Sequence, residues 1–133
     1  AIESAATERF DMFLKGLLAY QQASRAIKHA KRPKACFKKG AARLHDYAPQ
    51  SKGTPILAIP SLINRAYILD LQEKNSLMRY LATQKFHPYL LDWGEAEEEK
   101  SPLSLEDYVV KRLLPALEHI YKKTGKPVAL LGY

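Results

Sequence analysis

The amino-acid sequence predicts an α/β protein built on a parallel β-sheet. Three short runs are apolar on both faces and have the length of strands: PILAI (55–59), HPYLLDW (87–93) and PVALLGY (127–133). Such strands are typical of a parallel sheet that is covered by helices on both sides. Two longer stretches with helical spacing separate the three runs. The resulting order of strand, helix, strand, helix, strand predicts a doubly wound sheet.

The first intervening helix is predicted to end near Thr83. Its expected buried face comprises Leu69, Leu71, Leu77, Met78 and Leu81. These apolar residues would pack against the sheet, because a helix of this kind buries one stripe.

The second intervening helix is predicted between Ser104 and Gly125. Apolar residues recur in it with a period of about 3.6 and predict one buried face: Val109, Val110, Leu113, Leu114, Leu117, Ile120 and Tyr121. Ser104 and Asp107 have the spacing of a capping box, and Gly125 is expected to end the helix. Pro115 lies in its interior and is expected to kink it, because proline removes one backbone hydrogen bond.

A third helix is predicted ahead of this core, from Glu8 to about His29. Its apolar stripe is expected to dock on another surface, and it comprises Phe10, Phe13, Leu14, Leu17, Leu18 and Ile27. A connector with several Pro and Gly residues follows, and it contains one short predicted edge strand, ARLHDY (42–47). We therefore divide the chain into a leader and connector, 1–53, and a core, 54–133.

The excess positive charge of the chain lies entirely in the leader and connector. Residues 1–53 hold 11 Lys and Arg against 4 Asp and Glu, whereas residues 54–133 hold 10 of each. Residues 25–43 carry eight basic side chains and no acidic one. Such a segment attracts nucleic acid, an anionic membrane face or a phosphorylated ligand, although charge runs more often form a solvated surface.

Composition excludes several classes of protein. With 47% hydrophobic residues the chain is expected to be globular, and no apolar run approaches the roughly 18 residues that span a bilayer. The single cysteine, Cys36, excludes an intrachain disulfide and fits a reducing compartment, so we expect a soluble intracellular protein. The four histidines have no ligand spacing with one another or with Cys36, and we expect no metal site.

The segment TPILAIPSLINRAYILDLQEKNSLMRYLATQKFHPYLLDWG, with LSLEDYVV and KPVALLGY after it, resembles the poly(3-hydroxyalkanoate) synthase family and its relatives among the α/β-hydrolases. The resemblance covers about residues 54–133, and its most specific parts are PSLINRAY (60–67), LDL (69–71) and Asp92–Trp93. It departs from the family at Ser61, where proline is more usual, and in the charged insert EAEEEK. The resemblance implies an incomplete α/β-hydrolase fold, of which residues 54–133 form the first half.

The resemblance also implies a function for the end of the third strand. In α/β-hydrolases a strand that ends in Gly-x delivers the nucleophile on a sharp turn, so Gly132 and Tyr133 would be the first two residues of that turn. The nucleophile would follow Tyr133, as Cys in the polyester synthases or as Ser in esterases, with its Asp and His further downstream. These three residues would lie outside the chain, in a further segment or a second chain.

The residues that the resemblance assigns within this chain belong to two loops. The loop after the first core strand would supply half of an oxyanion site, with the backbone N–H of Leu62 as first choice and that of Ile63 as second. Asn64 would hold this loop through side-chain hydrogen bonds. Asp92 would hold the following turn or take part in catalysis, and Trp93 would line an acyl pocket or plug the rim of the sheet.

Other residues are given structural roles. Arg65 and Asp70 are expected to form a structural pair or a cap near the oxyanion loop, and Glu95, Glu97, Glu98 and Glu99 to form a solvated loop. His87 and His119 are expected to be structural or solvated, and Cys36 to have no catalytic role because it lacks a strand-turn-helix context.

The implied reaction is acyl transfer from a 3-hydroxyacyl-coenzyme A to a growing polyester through a Cys thioester. Coenzyme A enters as substrate, and no cofactor is expected. Expected partners are the remainder of the same protein and the ester substrate, with a homo-oligomer left open and with neither nucleic acid nor a transmembrane segment. The expected location is the cytoplasm, where a polyester granule surface is one candidate. The alternatives are an esterase or polyester depolymerase and, in another class, a non-catalytic basic binding module.

Overall fold

A five-stranded mixed β-sheet forms the centre of the protein. The computed structural model describes residues 2–22 and 30–133. The strand order in the sheet is β1-β2-β6-β3-β7, and a separate two-stranded hairpin is formed by β4 and β5. The strands are β1 Ala35–Lys39, β2 Ala42–Asp46, β3 Pro55–Ile59, β4 Asp70–Gln72, β5 Asn75–Ser76, β6 His87–Asp92 and β7 Ala129–Gly132.

The sheet is mixed and not purely parallel, although the parallel arrangement predicted for the three core strands is confirmed. The three predicted core strands β3, β6 and β7 are parallel, but β2 runs antiparallel to β6 and β1 antiparallel to β2. The strand β1 was not predicted, because its sequence ACFKK has a basic, half-exposed character that is typical of a connector. Gly40, at φ +59°, closes the tight turn that joins it to β2. The strand β2 therefore lies inside the sheet and not at its edge.

Helices cover both faces of the sheet, as predicted. One face packs against the helix Leu114–Thr124 and buries one hydrophobic cluster: Ala42, Leu44, Leu57, Tyr89, Leu91, Ala116 and Ile120. The other face packs against the helix Leu77–Thr83 and buries a second: Ala58, Ala66, Leu69, Met78 and Leu90. Successive residues of β3 and β6 alternate between the two clusters, which explains why these strands are apolar on both faces.

The helix between β3 and β6 is much shorter than predicted. Residues Ala66–Leu69 form a 3₁₀ turn and β4 and β5 form a hairpin, so α2 begins only at Leu77 and ends at Thr83. Ser76 caps this helix by accepting a hydrogen bond from the Arg79 backbone N–H, and this cap marks its start. Of the predicted face, Met78 and Leu69 are buried, whereas Leu77 is exposed.

The helix between β6 and β7 accommodates its proline with a wide turn. It consists of α3 Leu105–Tyr108, a π-helical segment Val109–Leu113 and α4 Leu114–Thr124. In the π segment the Leu114 N–H bonds to the Val109 carbonyl, five residues back, directly before Pro115. This wider turn takes the place of the expected kink. The Ser104–Asp107 capping box and the left-handed Gly125 that ends the helix are confirmed.

Only part of the predicted apolar face of this helix is buried. Ile120 is fully buried and Leu113 and Leu117 pack against the core, but four members remain exposed: Val109, Val110, Leu114 and Tyr121. The π segment shifts the angular position of residues before Pro115, so a single 3.6-residue period does not describe the whole helix.

The first helix, α1, spans Ile2–Gln22 and begins earlier than predicted. Its predicted stripe does not pack against the rest of the described chain, because Phe10, Phe13, Leu14, Leu17 and Leu18 are all exposed. Ile27 and the predicted helix end near His29 lie outside the described residues. No helix within residues 2–22 and 30–133 is long and apolar enough to cross a membrane.

The prediction of a solvated loop is confirmed for Glu95, Glu97 and Glu98, which are exposed, but it is wrong for Glu99. Glu99 forms a bidentate pair with Arg112 in which the two side chains are 8% and 10% exposed, and one Glu99 oxygen also accepts from the Ala41 N–H at 3.0 Å. Glu98 pairs with Arg43 at 2.5 Å, and Glu95 pairs with Arg65. The insert therefore attaches the β1–β2 hairpin to the helix between β6 and β7.

Candidate functional site

A cavity of about 220 Å³ lies at the carboxyl ends of β3 and β6. This is the edge at which parallel α/β sheets place their ligand sites. Within the described chain it is lined by Arg32, Leu62, Asn64, Arg65, Ala66, Asp92, Trp93, Gly94 and Glu95. The cavity therefore combines the loop after β3, the turn after β6 and one side chain from the connector.

Four of the predicted site residues meet at this cavity: Leu62, Asn64, Asp92 and Trp93. Ile63, Gly132 and Tyr133 do not line it. The Ile63 side chain is 92% exposed, and the Tyr133 backbone N–H donates to the Ile59 carbonyl at 3.0 Å. This bond holds the end of β7 beside the end of β3, one residue before the loop that starts at Pro60.

The loop of residues 60–65 has a defined conformation. The Asn64 backbone N–H donates to the Ser61 hydroxyl at 2.9 Å, so Ser61 closes the loop in the role that was expected of the Asn64 side chain. Within residues 2–22 and 30–133, the backbone N–H groups of Leu62 and Ile63 have no hydrogen-bond partner. The loop thus presents two adjacent unpaired donors at the carboxyl edge of the sheet.

The turn after β6 is fixed by its own side chains. Asp92 accepts a hydrogen bond from the Gly94 backbone N–H at 3.1 Å, and Gly94 adopts φ +77°. An Asp that bonds two residues onward stabilises such a turn, and this agrees with the turn-holding role that was considered for Asp92. The Trp93 indole N–H donates to the Pro60 carbonyl at 2.8 Å, which links this turn to the start of the other loop.

Two arginines at the cavity were not predicted in this role. Arg32 pairs with Asp92 across 60 positions of sequence, and Arg65 pairs with Glu95 at 2.9 Å. The predicted pair of Arg65 with Asp70 is not formed, because Arg65 pairs with Glu95 and Asp70 pairs with Arg79. Arg65 and Asp70 instead occupy the N-cap and C-cap positions of the 3₁₀ turn Ala66–Leu69, which agrees with the alternative that they act as caps.

 The Arg65 guanidinium donates to both oxygens of the Glu95 carboxylate. No sequence signal pointed to Arg32, because its partner is distant along the chain.

The connector reaches the cavity because four successive residues are bonded to the β4–β5 hairpin, to α2 and to the five-stranded sheet. The Ala30 N–H donates to the Leu71 carbonyl, and the Lys31 carbonyl accepts from Arg79. Arg32 then pairs with Asp92, and the Pro33 carbonyl lies 2.8 Å from His45 Nδ1. This segment, residues 30–33, is called the strap below. It delivers a basic side chain of the leader to the candidate site.

The buried Asp70 carboxylate holds the strap in place through Arg79. Asp70 accepts from the Tyr47 hydroxyl at 2.7 Å and from Arg79 Nε at 3.2 Å, and Arg79 in turn holds Lys31. Burial and the Asp70 carboxylate raise the pKa of the Tyr47 phenol, so Tyr47 remains a hydrogen-bond donor at neutral pH.

The three described histidines, His45, His87 and His119, and Cys36 do not line this cavity and have structural surroundings. His87 is buried with Nε2 2.9 Å from Asp46, and the same carboxylate accepts from Lys123 at 2.7 Å. His119 stacks on Phe37, and burial lowers its pKa. Cys36 is exposed, and desolvation together with the nearby Asp46 raises the pKa of its thiol, which disfavours the thiolate. Within the described residues no group of His, Cys, Asp and Glu is arranged to hold a metal ion.

The groups that line the cavity can bind a polar ligand and polarise its bonds. Its lining supplies backbone N–H donors, two arginine–carboxylate pairs and an indole, and none of its described lining residues is a Ser, Cys or His. The fold and the site together define an α/β protein with a polar cavity at the carboxyl edge of its parallel strands.

Comparison with known proteins identifies the family. The family described as "Poly-beta-hydroxybutyrate polymerase (PhaC) N-terminus" matches residues 25–81. A poly(3-hydroxyalkanoate) polymerase subunit PhaC of Haloferax mediterranei is 37% identical over 101 residues, which are 73% of this chain and 20% of that protein. The subunit PhaC of Allochromatium vinosum is 36% identical over 86 residues, 64% of this chain and 24% of that protein. The chain belongs to the poly(3-hydroxyalkanoate) synthase family.

The family match includes both the strap and the loop of the candidate site. Residues 25–81 contain Arg32, Leu62 and Arg65, whereas the turn at Asp92 and Trp93 lies beyond them. The chain spans about one fifth of the length of the Haloferax relative.

Proposed function

We propose that this chain forms the first part of an α/β-hydrolase-type catalytic domain that transfers 3-hydroxyacyl groups from coenzyme A to a polyester. The observation that carries the proposal is a pair of backbone donors, Leu62 N–H and Ile63 N–H, that have no hydrogen-bond partner among the described residues. They lie in the loop after β3, and the last residue of β3, Ile59, accepts from the Tyr133 N–H at the end of β7. A strand end that delivers a nucleophile and a neighbouring loop that offers free N–H groups are the two halves of an acyl-transfer site.

The chemistry proceeds through a thioester. A Cys thiol placed after Tyr133 loses its proton to a His base, and the thiolate attacks the carbonyl carbon of the acyl-coenzyme A. The carbonyl oxygen becomes an oxyanion that accepts hydrogen bonds from the loop after β3. The carbon–sulfur bond to coenzyme A then breaks, and the coenzyme A sulfur takes the proton from the His. A hydroxyl group attacks the enzyme thioester in the next step, which forms the ester bond and returns the thiol.

The described residues contribute position and polarity to this reaction. The Leu62 N–H is the first candidate donor and the Ile63 N–H the second. Asn64, Asp92 and Trp93 would shape the cavity beside the acyl group, and Gly132 and Tyr133 would lead into the nucleophile turn. Arg32 and Arg65 are each neutralised by a carboxylate, so they keep the rim polar without leaving a net charge on it.

The first test is the activity of the complete protein that contains this chain. Release of coenzyme A from 3-hydroxybutyryl-coenzyme A, together with polymer formation, is expected. Hydrolysis of simple esters without polymer formation would instead support the esterase or depolymerase alternative. Binding of DNA with a steep salt dependence and no acyl chemistry would support the non-catalytic basic module.

The second test addresses the two donors individually. Replacing Leu62 by the corresponding α-hydroxy acid exchanges its N–H for an ester oxygen and leaves the side chain unchanged. Loss of one oxyanion donor is expected to lower kcat about 100-fold. The same replacement at Leu103, which lies outside the cavity, is the matched control. An equal kcat for the variants at positions 62 and 103 would contradict the assignment of Leu62, and the variant at position 63 tests the second donor.

A further inference from the structure

The loop that carries the two free N–H groups is attached to the turn after β6 at both of its ends. At its start, the Pro60 carbonyl accepts a hydrogen bond from the Trp93 indole N–H at 2.8 Å. At its end, Arg65 pairs with Glu95 of the same turn. Between these points, the Ser61 hydroxyl accepts from the Asn64 N–H and closes the loop.

Trp93 is itself held in place by its surroundings. Its ring packs partly buried against the larger hydrophobic cluster and meets the Tyr108 ring edge to face, with centroids 5.5 Å apart and planes at 85°. Tyr108 belongs to α3, whose start is fixed by the Ser104–Asp107 capping box. An aromatic ring packed in this manner has little rotational freedom, so its N–H points in one direction.

The two contacts differ in how firmly they hold the loop. The Arg65 and Glu95 side chains are both exposed, and an exposed ion pair contributes little. The Trp93 bond is partly buried and joins a rigid ring to a backbone carbonyl two residues before Leu62. The direction of the Leu62 and Ile63 donors therefore depends mainly on Trp93.

We infer that Trp93 is a positioning residue, which aims the Leu62 and Ile63 backbone donors through its hydrogen bond to the Pro60 carbonyl. This inference rests on the proposed acyl-transfer function. It differs from the two roles that the sequence suggested for Trp93, because the indole N–H and not the ring surface is the group that matters.

The test replaces the indole N–H without changing the shape of the side chain. In the complete protein, Trp93 is replaced by 3-benzothienylalanine, in which sulfur takes the place of the N–H. We expect kcat for 3-hydroxybutyryl-coenzyme A to fall about 10- to 100-fold while KM changes less than about twofold, because a misdirected oxyanion donor weakens only the transition state.

The matched control is Thr83→Val. It also removes a side-chain donor to a backbone carbonyl, that of Tyr80 at 2.7 Å, but on α2 and away from the cavity. An unchanged kcat in the benzothienylalanine variant would overturn the inference. The inference would also be overturned by a fall in kcat that is accompanied by a comparable fold rise in KM and by a loss of thermal stability, because that pattern indicates a merely structural role.

A second readout keeps the inference separate from the proposed function. Hydrogen exchange of the Asn64 N–H, which the Ser61 hydroxyl protects within this loop, should be faster in the benzothienylalanine variant than in the wild type and in Thr83→Val. This difference is expected whether or not the protein releases coenzyme A. Unchanged exchange would contradict the positioning role, whereas faster exchange in a protein without acyl-transfer activity would contradict the proposed function alone.

Discussion

At the scale of single residues, the most consequential contact outside the cavity is the pair of Glu99 and Arg112. Both side chains are nearly buried, and the carboxylate also receives the Ala41 N–H at the tip of the β1–β2 hairpin. The pair therefore connects the connector, the charged insert and the helix after it. Gly40 packs directly against the Arg112 guanidinium, where an added Cβ would lie 2.4 Å from it.

Replacing Arg112 by Met should destabilise the protein substantially. The change leaves the Glu99 carboxylate buried without its partner, which typically costs about 3 kcal/mol. Arg43→Met removes the partner of Glu98 in a more exposed pair and should cost less than about 1 kcal/mol. Denaturant unfolding of the complete protein measures both, and equal losses would show that the Arg112 pair is no more important than the surface pair.

The Glu99 carboxylate should also make the stability of the protein depend on pH. Hydrogen bonding from Arg112 holds the pKa of Glu99 below its ordinary value of 4.5, so the folded state favours the ionised form. The stabilisation is present above about pH 5 and is lost as the pH falls below 4.5 and through the folded-state pKa. The difference in thermal stability between wild type and Glu99→Gln should shrink over that acidic range. A difference that stays constant from pH 6 to pH 3 would disprove this account.

At the scale of elements, the turn after β6 depends on a close approach to the β1–β2 hairpin. Gly94 has φ +77°, and an added Cβ would lie 2.3 Å from the Ala41 carbonyl oxygen. Gly125, at the end of α4, has a similar φ of +65° but has open space around it. The two glycines share a backbone conformation and differ in their surroundings.

This difference predicts unequal effects of alanine substitution. Gly125→Ala should cost about 1 kcal/mol through backbone strain alone. Gly94→Ala should cost more and should also displace Trp93 and the loop that it holds, because the Ala41 backbone cannot move aside freely. Thermal unfolding and kcat of both variants in the complete protein provide the measurement. Similar losses of stability, with kcat unaffected in both, would contradict the prediction.

A comparison of the predicted and observed elements shows which of them could be predicted from the sequence alone. The strands β3 and β6 and the capped helix start at Ser104 were predicted because each has a strong local signal: an apolar run or a capping box. The strand β1 was missed because it is basic and half-exposed, and it is a strand only through pairing with β2. The hairpin of β4 and β5 was read as a helix because Leu71, seven residues before Met78, fits a helical spacing by chance.

At the scale of the whole molecule, contacts between distant segments were beyond sequence reasoning. The strap is held by bonds to Leu71, Arg79, Asp92 and His45, none of which has a sequence pattern that reveals the contact. Four of the candidate site residues were predicted because the family resemblance assigns them to the two loops at the carboxyl edge of the parallel strands. The arginine pairs could not be predicted, since nothing local selects a partner 30 or 60 residues away.

The molecule also presents apolar surfaces that the described chain does not cover. The strand β7 pairs only with β3, its Leu130 is 58% exposed, and the helix beside it exposes Val110 and Leu114. We propose that further strands and helices of the family's catalytic domain cover these surfaces, because an open apolar strand edge favours pairing with another chain.

The central claim is that the backbone N–H of Leu62, aimed by Trp93, stabilises the oxyanion formed beside the end of β7. The most direct measurement is a crystal structure of the complete protein with its nucleophile trapped as a tetrahedral adduct of a 3-hydroxyacyl analogue. The account predicts an adduct oxygen about 2.7–3.1 Å from the Leu62 nitrogen, with the bond from Trp93 to the Pro60 carbonyl intact. An adduct oxygen farther than about 4 Å from both the Leu62 and Ile63 nitrogens would contradict it.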